Sequence, residues 1–323
     1  MRAVTLEQPG DPDVLQLTEI PDPVPAAGEL VIEVAAAGVN RADLQQRIGV
    51  YAPPPGASEI IGLECSGVVA EVGDGVEGWR PGDPCVALLA GGGYAERVAV
   101  PAGQVVAPPE GVDLVTAGGL VEVAATVLSN LSQARLAAGE TFLVHGGAGG
   151  IGTFAIQYAK TLGATVIATG GSEDKLEHCR AVGADLAVSY REDWAAAVAD
   201  FTQGRGVDVI LDNMGAKYLE ANTGSLAADG RLMVIGLQGG RKATLDLGAL
   251  LAKRASVAAT SLRGRPTEQK SAICRQVAEQ VWPQFTAGAI KPAPETRMPL
   301  TEVVAAHTRL ESGSNIGKIL LLP

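Results

Sequence analysis

Between Thr141 and Gly152 the chain reads TFLVHGGAGGIG, and this stretch restricts the fold more than any other. Thr141–His145 is a short apolar run of strand character. It breaks into glycines at 146, 147, 149, 150 and 152, then resumes as TFAIQYAKTL, where Phe154, Ala155, Tyr158 and Leu162 recur at helical spacing. A glycine cluster alone says only that the backbone turns. Between a strand and a helix it says more: without Cβ atoms the backbone can come close to a diphosphate, whose charge meets the positive N-terminus of the helix. The core, Gly147-Ala-Gly-Gly150-Ile-Gly152, departs from the usual G-x-G-x-x-G, so the surrounding elements carry the reading.

Those elements follow in a regular cadence. Strand candidates are Ala164–Thr169, Leu186–Ser189, Val207–Asp212, Arg231–Ile235 and Ser256–Ser261. Between them Glu173–Val182, Arg191–Gln203, Lys217–Ala228 and Leu247–Arg254 read as amphipathic helices. The strands are short, rich in Val, Ile and Leu, and apolar without alternation, as expected where helices cover both faces of a parallel sheet. With Thr141–His145 they number six, the count in a complete dinucleotide-binding doubly wound α/β sheet.

Residues 1–110 have another texture. Prolines and glycines punctuate short β-like runs at Ala3–Leu6, Val14–Glu19, Glu29–Ala35, Gly67–Val72, Cys85–Leu89, Tyr94–Val100 and Gln104–Ala107. Glu29–Ala35 alternates, with Leu30, Ile32 and Val34 on one face. Many short strands joined by such turns predict a compact β-barrel-like domain. Val112–Ala134, Thr267–Thr286 and Leu300–Leu310 read as helices, and Gly317–Leu322 as a final strand. No repeat or low-complexity linker is present, so packed helices are expected at the domain joins. A length of 323 residues exceeds the usual single core and favours two domains.

Composition excludes some function classes. Only 4% of residues are aromatic and the net charge is −11, a balance that opposes a nucleic-acid groove and favours solubility. No apolar run is long enough to span a bilayer, and MRAVTLEQPG lacks the apolar stretch of a signal peptide. Four cysteines, Cys65, Cys85, Cys179 and Cys274, are scattered without a close pair, which suits reduced thiols in a cytoplasm.

The order of a β-rich N-terminal domain, a nucleotide-binding core and a short C-terminal return resembles the medium-chain dehydrogenase/reductase superfamily over essentially the whole chain. Local wording narrows the likeness: Asn40-Arg-Ala-Asp43, Tyr51-Ala-Pro-Pro-Pro-Gly56, Gly62-Leu-Glu-Cys-Ser-Gly67, Leu88-Leu-Ala-Gly-Gly-Gly93 and Ser314-Asn-Ile-Gly-Lys318. These look like the zinc-free quinone oxidoreductases, closest to the tumour-suppressor-inducible subfamily. The resemblance implies a GroES-like catalytic domain over 1–122, a six-stranded parallel Rossmann domain over 123–262, and a segment 263–323 returning to the first. Zinc enzymes of the superfamily carry a cysteine where this chain has Asn40 and a histidine where it has Leu63. An amide and an alkyl group cannot replace thiolate and imidazole, so no metal is expected. Of the three histidines, His145 ends a strand while His178 and His307 lie in helical runs, and all read as packed or solvated.

Without zinc the acceptor must bring its own electrophilicity, as a quinone or an enone does. Hydride arriving from a nicotinamide leaves negative charge on the acceptor oxygen, which calls for hydrogen-bond donors. The family places its substrate cleft between the domains, and the resemblance puts Tyr51 and Asn40 on matching positions as catalytic donors. The bland alternatives are that Tyr51 anchors the Pro53-Pro54-Pro55 loop and that Asn40 stabilises the turn before Arg41–Arg47. Asp43 reads as a helix-start residue. Cofactor contacts carried over by the resemblance are Thr126, Gly150, Ile151, Asn213, Leu237, Leu262 and Asn315. Gly147 and Gly152 belong to the diphosphate turn, and Gly147 departs from the family's usual alanine.

The second strand ends Ala168-Thr169-Gly170-Gly171-Ser172, without the carboxylate that binds a ribose 2′-hydroxyl in NAD sites. Gly171, Ser172, Lys175 and Tyr190 match the family's 2′-phosphate pocket, so the expected coenzyme is NADPH. The function expected is NADPH:quinone oxidoreduction on a small-molecule acceptor. A 2-alkenal or enoyl reductase and a non-catalytic NADPH-binding protein stay open beside it. The edge strand Ser256–Ser261, paired across a two-fold axis in resembling proteins, predicts a homodimer.

Overall fold

The computed structural model describes all 323 residues. The chain forms two compact units. One comprises residues 1–125, 262–288 and 292–323; the other comprises 126–261 and 289–291.

The second unit is built on a six-stranded sheet, parallel throughout. In chain order its strands are Thr141–Val144, Thr165–Gly170, Leu186–Ser189, Val207–Asp212, Leu226–Val234 and Ser256–Ala259. Across the sheet they stand third, second, first, fourth, fifth, sixth, the doubly wound order in which ligands bind beyond the carboxyl ends at the reversal of strand order. The central strands are buried along their whole length: every residue of Thr141–Val144 and Val207–Asp212 is buried. Phe142, Leu143, Val166, Ile167, Val209 and Ile210 are at 0% exposure, and burying each such side chain contributes about 1.5–3 kcal/mol. The fifth strand begins at Leu226 rather than Arg231, with its register shifting opposite Val207 and Val209.

In the first unit the long strand Glu29–Val39 is the spine. It pairs antiparallel with Glu64–Val72, with Arg97–Pro101 and, near its end, with the last strand of the chain, Lys318–Leu322. Pro84–Leu88 and Val105–Val106 continue the sheet on one side. On the other side Glu295–Pro299 pairs in parallel with Lys318–Leu322. With little apolar content and a closing proline, ETRMP carries no strand signal of its own.

Two expected helices are interrupted, each for a local reason. Val112–Ala134 splits into Leu114–Ala117 and Val121–Ala134. At Gly118 a Cβ would stand 2.7 Å from the Ala36 carbonyl oxygen and 2.9 Å from Ser66 Oγ, so the chain presses its backbone onto the sheet there instead of turning on. Within Thr267–Thr286, Val277–Val281 widens to a π-turn between α-helices Thr267–Gln276 and Trp282–Thr286. Pro283 has no N–H to give to the carbonyl four residues back, and the wider turn accommodates its ring.

Candidate active site

The residues of the second unit expected at the cofactor are placed by the carboxyl ends of its strands. After Val144 the backbone turns through Gly146, at φ +71°, into the helix Gly150–Thr161. The first closed helical bond runs from Thr153 N–H to Gly149 C=O at 2.8 Å, so Gly150, Ile151 and Gly152 lie in the first turn, ahead of any intrahelical acceptor. Only glycine fits at 152. A Cβ there would overlap the Gly146 carbonyl oxygen and stand 2.5 Å from Gly147 Cα, both backbone atoms with nowhere to go. At Gly147 a Cβ would meet Cys179 Sγ at 2.7 Å and Ala168 Cβ at 2.8 Å. The missing methyl is thus a matter of packing: the Cys179 thiol stands close enough to crowd it.

The tip of the second strand is tied to this turn, with Gly147 N–H donating to Thr169 O at 2.8 Å. Tyr190 N–H donates to Gly170 O at 3.0 Å, and the Tyr190 phenol lies so close over Gly171 that a side chain there would overlap it. Ser172 is the exposed N-cap of the helix Glu173–Ala181. Lys175 is half-buried, and desolvation, with the Arg191 charge nearby, holds its ammonium below the usual lysine range. Glu173, the nearest carboxylate to the tip, is paired with Arg180. The residues present fit a diphosphate and a 2′-phosphate: a glycine turn with no room for a Cβ at 147 and 152, and a strand tip carrying a cation and hydroxyls but no carboxylate.

Asn213 follows the fourth strand; its amide nitrogen would be 3.0 Å from a Cβ on Gly146, and its Oδ1 is buried without a partner. Gln238 N–H donates to Asn213 O at 3.2 Å, which brings Leu237, 50% exposed, beside the same strand end. Thr126 is buried on the helix Val121–Ala134, where its carbonyl accepts from Asn130 Nδ2 at 2.8 Å.

His145 has a structural place that the sequence hints at only by its position. Its Nδ1 is 3.1 Å from Thr169 Oγ1 and its Nε2 is 2.8 Å from Asn222 Oδ1, while Gly146 N–H donates to the same threonine oxygen at 3.3 Å. Trp194 and Tyr218 flank the ring edge-on, each at 4.8 Å. One neutral tautomer satisfies these bonds, with Nε2–H donating to Asn222. Burial lowers the imidazole pKa to about 4. Between that value and the unfolded 6.5 the unfolded chain holds more protons, so this contribution is present above pH 6.5 and lost as pH falls towards 4. His145→Gln should therefore narrow its stability deficit against the parent on acidification from pH 7 to 4, by about 3 kcal/mol. Urea unfolding across that range checks it; a deficit independent of pH would remove the histidine's titration from the account.

In the first unit Asn40 stands at the start of the helix Arg41–Arg47, and its backbone N–H donates to Asp43 Oδ2 at 2.7 Å. The side chain belongs to a buried ionic cluster. Its Nδ2 donates to Glu64 Oε1 at 3.0 Å and to Gly38 O at 3.3 Å, and its Oδ1 accepts from Lys318 Nζ at 2.8 Å. Lys318 Nζ also donates to Glu64 Oε1 at 2.6 Å, and Glu122 N–H to Glu64 Oε2 at 3.0 Å. Both amide hydrogens of Asn40 are thus engaged by this unit's own oxygens, and its oxygen by Lys318.

Asp43 is fully buried and also accepts from Tyr94 Oη at 2.9 Å; burial raises its carboxyl to about 7. Tyr94 Oη in turn lies 3.2 Å from His307 Nε2, an imidazole pushed down to about 3 by burial and the Arg47 charge. Tyr51 lies at the head of the proline loop, partly exposed, beneath the Arg263 guanidinium at 5.3 Å. Leu262 is partly buried next to that arginine. Asn315 is buried, donating to Gly317 O at 3.0 Å and accepting from Arg309 Nε at 3.3 Å, which shapes the turn into the last strand.

Against known proteins, the family profile described as "Alcohol dehydrogenase GroES-like domain" matches residues 26–110, and that described as "Zinc-binding dehydrogenase" matches residues 150–278. Quinone oxidoreductase of Salmonella typhimurium is 33% identical over 321 residues, covering 97% of each chain. The chain belongs to the medium-chain dehydrogenase/reductase superfamily. Among solved structures, Escherichia coli quinone oxidoreductase complexed with NADPH aligns over the whole of both chains with a TM-score of 0.91 at 30% identity. An enoyl reductase, CurK, aligns over 99% of this chain and 98% of its own with a TM-score of 0.88 at 27% identity.

This member of the superfamily does not fit the zinc in its profile's description. Asn40 and Leu63 are an amide held in a hydrogen-bond cluster and a buried alkyl group, and no group of three His, Cys, Asp or Glu side chains is placed to hold a metal ion. The sequence reading missed Lys318, Glu64 and Arg263. Glu64 did carry a signal: a carboxylate between apolar neighbours in a strand needs a buried partner. Nothing local says that the partner lies 254 residues away.

Proposed function

We propose that the protein is an NADPH-dependent quinone oxidoreductase that works without zinc. The observation that carries this reading is the Lys318–Glu64–Asn40 cluster, which involves one of the two zinc-ligand positions of the zinc-dependent members and offers no ligand set. An enzyme so built cannot polarise a simple alcohol or ketone through a metal, so its substrate has to be electrophilic by itself. The coenzyme, when bound, supplies hydride.

The chain's own residues do the rest. The glycine turn at 146–152 presents first-turn N–H groups to the diphosphate, and Lys175, Ser172 and Tyr190 receive the 2′-phosphate, with Gly171 leaving the phenol its room. Thr126, Asn213, Leu237, Leu262 and Asn315 are proposed to contact the rest of the cofactor. Tyr51 donates its phenolic hydrogen towards the acceptor oxygen as negative charge develops there. Asn40, the second donor at the site in this reading, also bridges the Glu64–Lys318 ion pair beside the helix that leads to Tyr51.

A panel of quinones, enones and 2-alkenals offered with NADPH tests the reading. Fast NADPH oxidation with quinones is expected, unaffected by chelators, from a purified protein that contains no stoichiometric zinc. Turnover of enones alone would move the assignment to an enoyl reductase, the reading favoured by the likeness to CurK. NADPH binding with no turnover of any acceptor would leave a cofactor-binding protein without catalysis.

Assembly as a homodimer belongs to the same proposal. Ser256–Ala259 ends the six-stranded sheet, and the helix before it, Leu247–Lys253, exposes Leu247 and Leu251 at 70% and 82%. An open strand edge beside exposed leucines is normally covered. Light scattering should give twice the chain mass of 32.9 kDa; a monomer at micromolar concentration would count against it. The four cysteines form no disulfide and are all buried, which agrees with a reducing compartment, and a cytoplasmic location is proposed.

A further inference from the structure

Arg263 is a charged side chain at 4% exposure whose three hydrogen bonds all go to neutral oxygens. Its Nε donates to Ala90 O at 2.7 Å, one terminal nitrogen to Gln46 Oε1 at 2.8 Å and the other to Tyr51 O at 3.3 Å. No carboxylate lies within ion-pair distance of it, and desolvation holds its guanidinium below the usual arginine range although the more distant charges of Asp43 and Glu59 act the other way. A buried cation with no carboxylate in contact is costly, and a neutral amide could serve as a donor to the same oxygens at less cost. What an amide could not supply is the charge over the Tyr51 ring, 5.3 Å from its centroid.

The placement is specific. The three acceptors belong to three segments: the helix Arg41–Arg47, the head of the proline loop, and the glycine loop at 90–93. Gln46, which accepts from Arg263, passes its own amide to Glu59 O at 2.9 Å. The proline loop is therefore held at Tyr51 by Arg263 and at Glu59 by the residue that Arg263 orients. A planar fork suits this, because a single ammonium nitrogen cannot reach three acceptors on three segments while keeping its charge over the ring.

We propose that Arg263 is the positioning residue for Tyr51: it sets the ring's direction and strengthens the phenol as a hydrogen-bond donor to the acceptor. The inference rests on the reading of Tyr51 as that donor. As the phenolic hydrogen is drawn towards the developing oxyanion, electron density on the ring rises, and a cation over its face gains attraction in step. The stabilisation grows along the reaction coordinate, so it lowers the barrier more than it tightens ground-state binding.

A double-mutant cycle on the full-length protein decides the matter, with NADPH and a quinone as substrates. Arg263→Gln should lower kcat/KM for the quinone about 10-fold, mostly in kcat, with NADPH affinity unchanged. In a chain already carrying Tyr51→Phe the same change should cost less than about 2-fold, because the group it acts through has gone. Arg263→Lys, which keeps the charge and loses the fork, should fall between Arg263→Gln and the parent. If Arg263→Gln does not fold, the cycle run with Arg263→Lys decides alone. Equal losses with and without Tyr51→Phe would overturn the proposal and leave Arg263 a scaffold residue. No loss from Tyr51→Phe itself would instead remove the reading of Tyr51, a failure visible before any arginine variant is made.

Discussion

Tyr51→Phe is expected to lower kcat/KM for quinones by about 10²- to 10³-fold while NADPH affinity stays near the parent value. Only two tyrosines, Tyr51 and Tyr94, lie in the first unit, and the structure separates them sharply. Tyr94 is inaccessible, its hydroxyl occupied by Asp43 at 2.9 Å and His307 at 3.2 Å, and burial raises its pKa well above the normal phenol. Tyr51 is the partly exposed one, on a loop whose backbone is held by Arg263. Removing a donor that meets full oxyanion charge costs roughly 2.7–4 kcal/mol, and less where water replaces it. The loss should sit in kcat, because a neutral quinone asks little of the phenol until hydride arrives. Stopped-flow oxidation of NADPH separates the two constants. Unchanged quinone kinetics in a folded variant would reduce Tyr51 to an anchor for the Pro53-Pro54-Pro55 loop.

Lys175→Ala should weaken NADPH by roughly 10- to 150-fold and leave NADH almost untouched. A hydrogen bond to a charged group contributes about 1.5–3 kcal/mol, and only NADPH carries the phosphate that would accept it. The neighbourhood supports a preference for the phosphate. Glu173 is engaged by Arg180, Asp174 is exposed on the first turn of its helix, and Arg191 adds positive potential close enough to lower the Lys175 pKa. Fluorescence titration with both coenzymes reads the result. Equal losses for NADH and NADPH, or equal affinity in the parent, would show that the strand tip does not select for the 2′-phosphate.

The nucleotide-binding unit was legible in the amino-acid sequence because its information is local. Buried parallel strands are continuous apolar runs, the glycine turn sits in adjacent positions, and a strand tip without a carboxylate can be read in five letters. Leu186–Ser189 and Val207–Asp212 occupy the residues their composition predicts. Zinc's ligand positions were equally readable, since Asn40 and Leu63 are chemically unfit whatever the fold does with them.

Sequence could not show how residues distant along the chain neutralise one another. Lys318 meets Glu64 across 254 positions and Arg263 meets Tyr51 across 212, and neither pair has a local signature. The same holds for backbone pressed against backbone. Gly118 ends a helix because the Ala36 carbonyl stands against it, and Gly147 lacks a methyl because Cys179 crowds the place. ETRMP becomes a strand because the last strand of the chain offers it an edge. Periodicity and turn chemistry therefore determine the elements and the glycine turn, whose physics acts over a few residues. Which buried charge finds which partner, and which tyrosine is left at the surface, is decided only when the spine strand and the returning C-terminus are packed together.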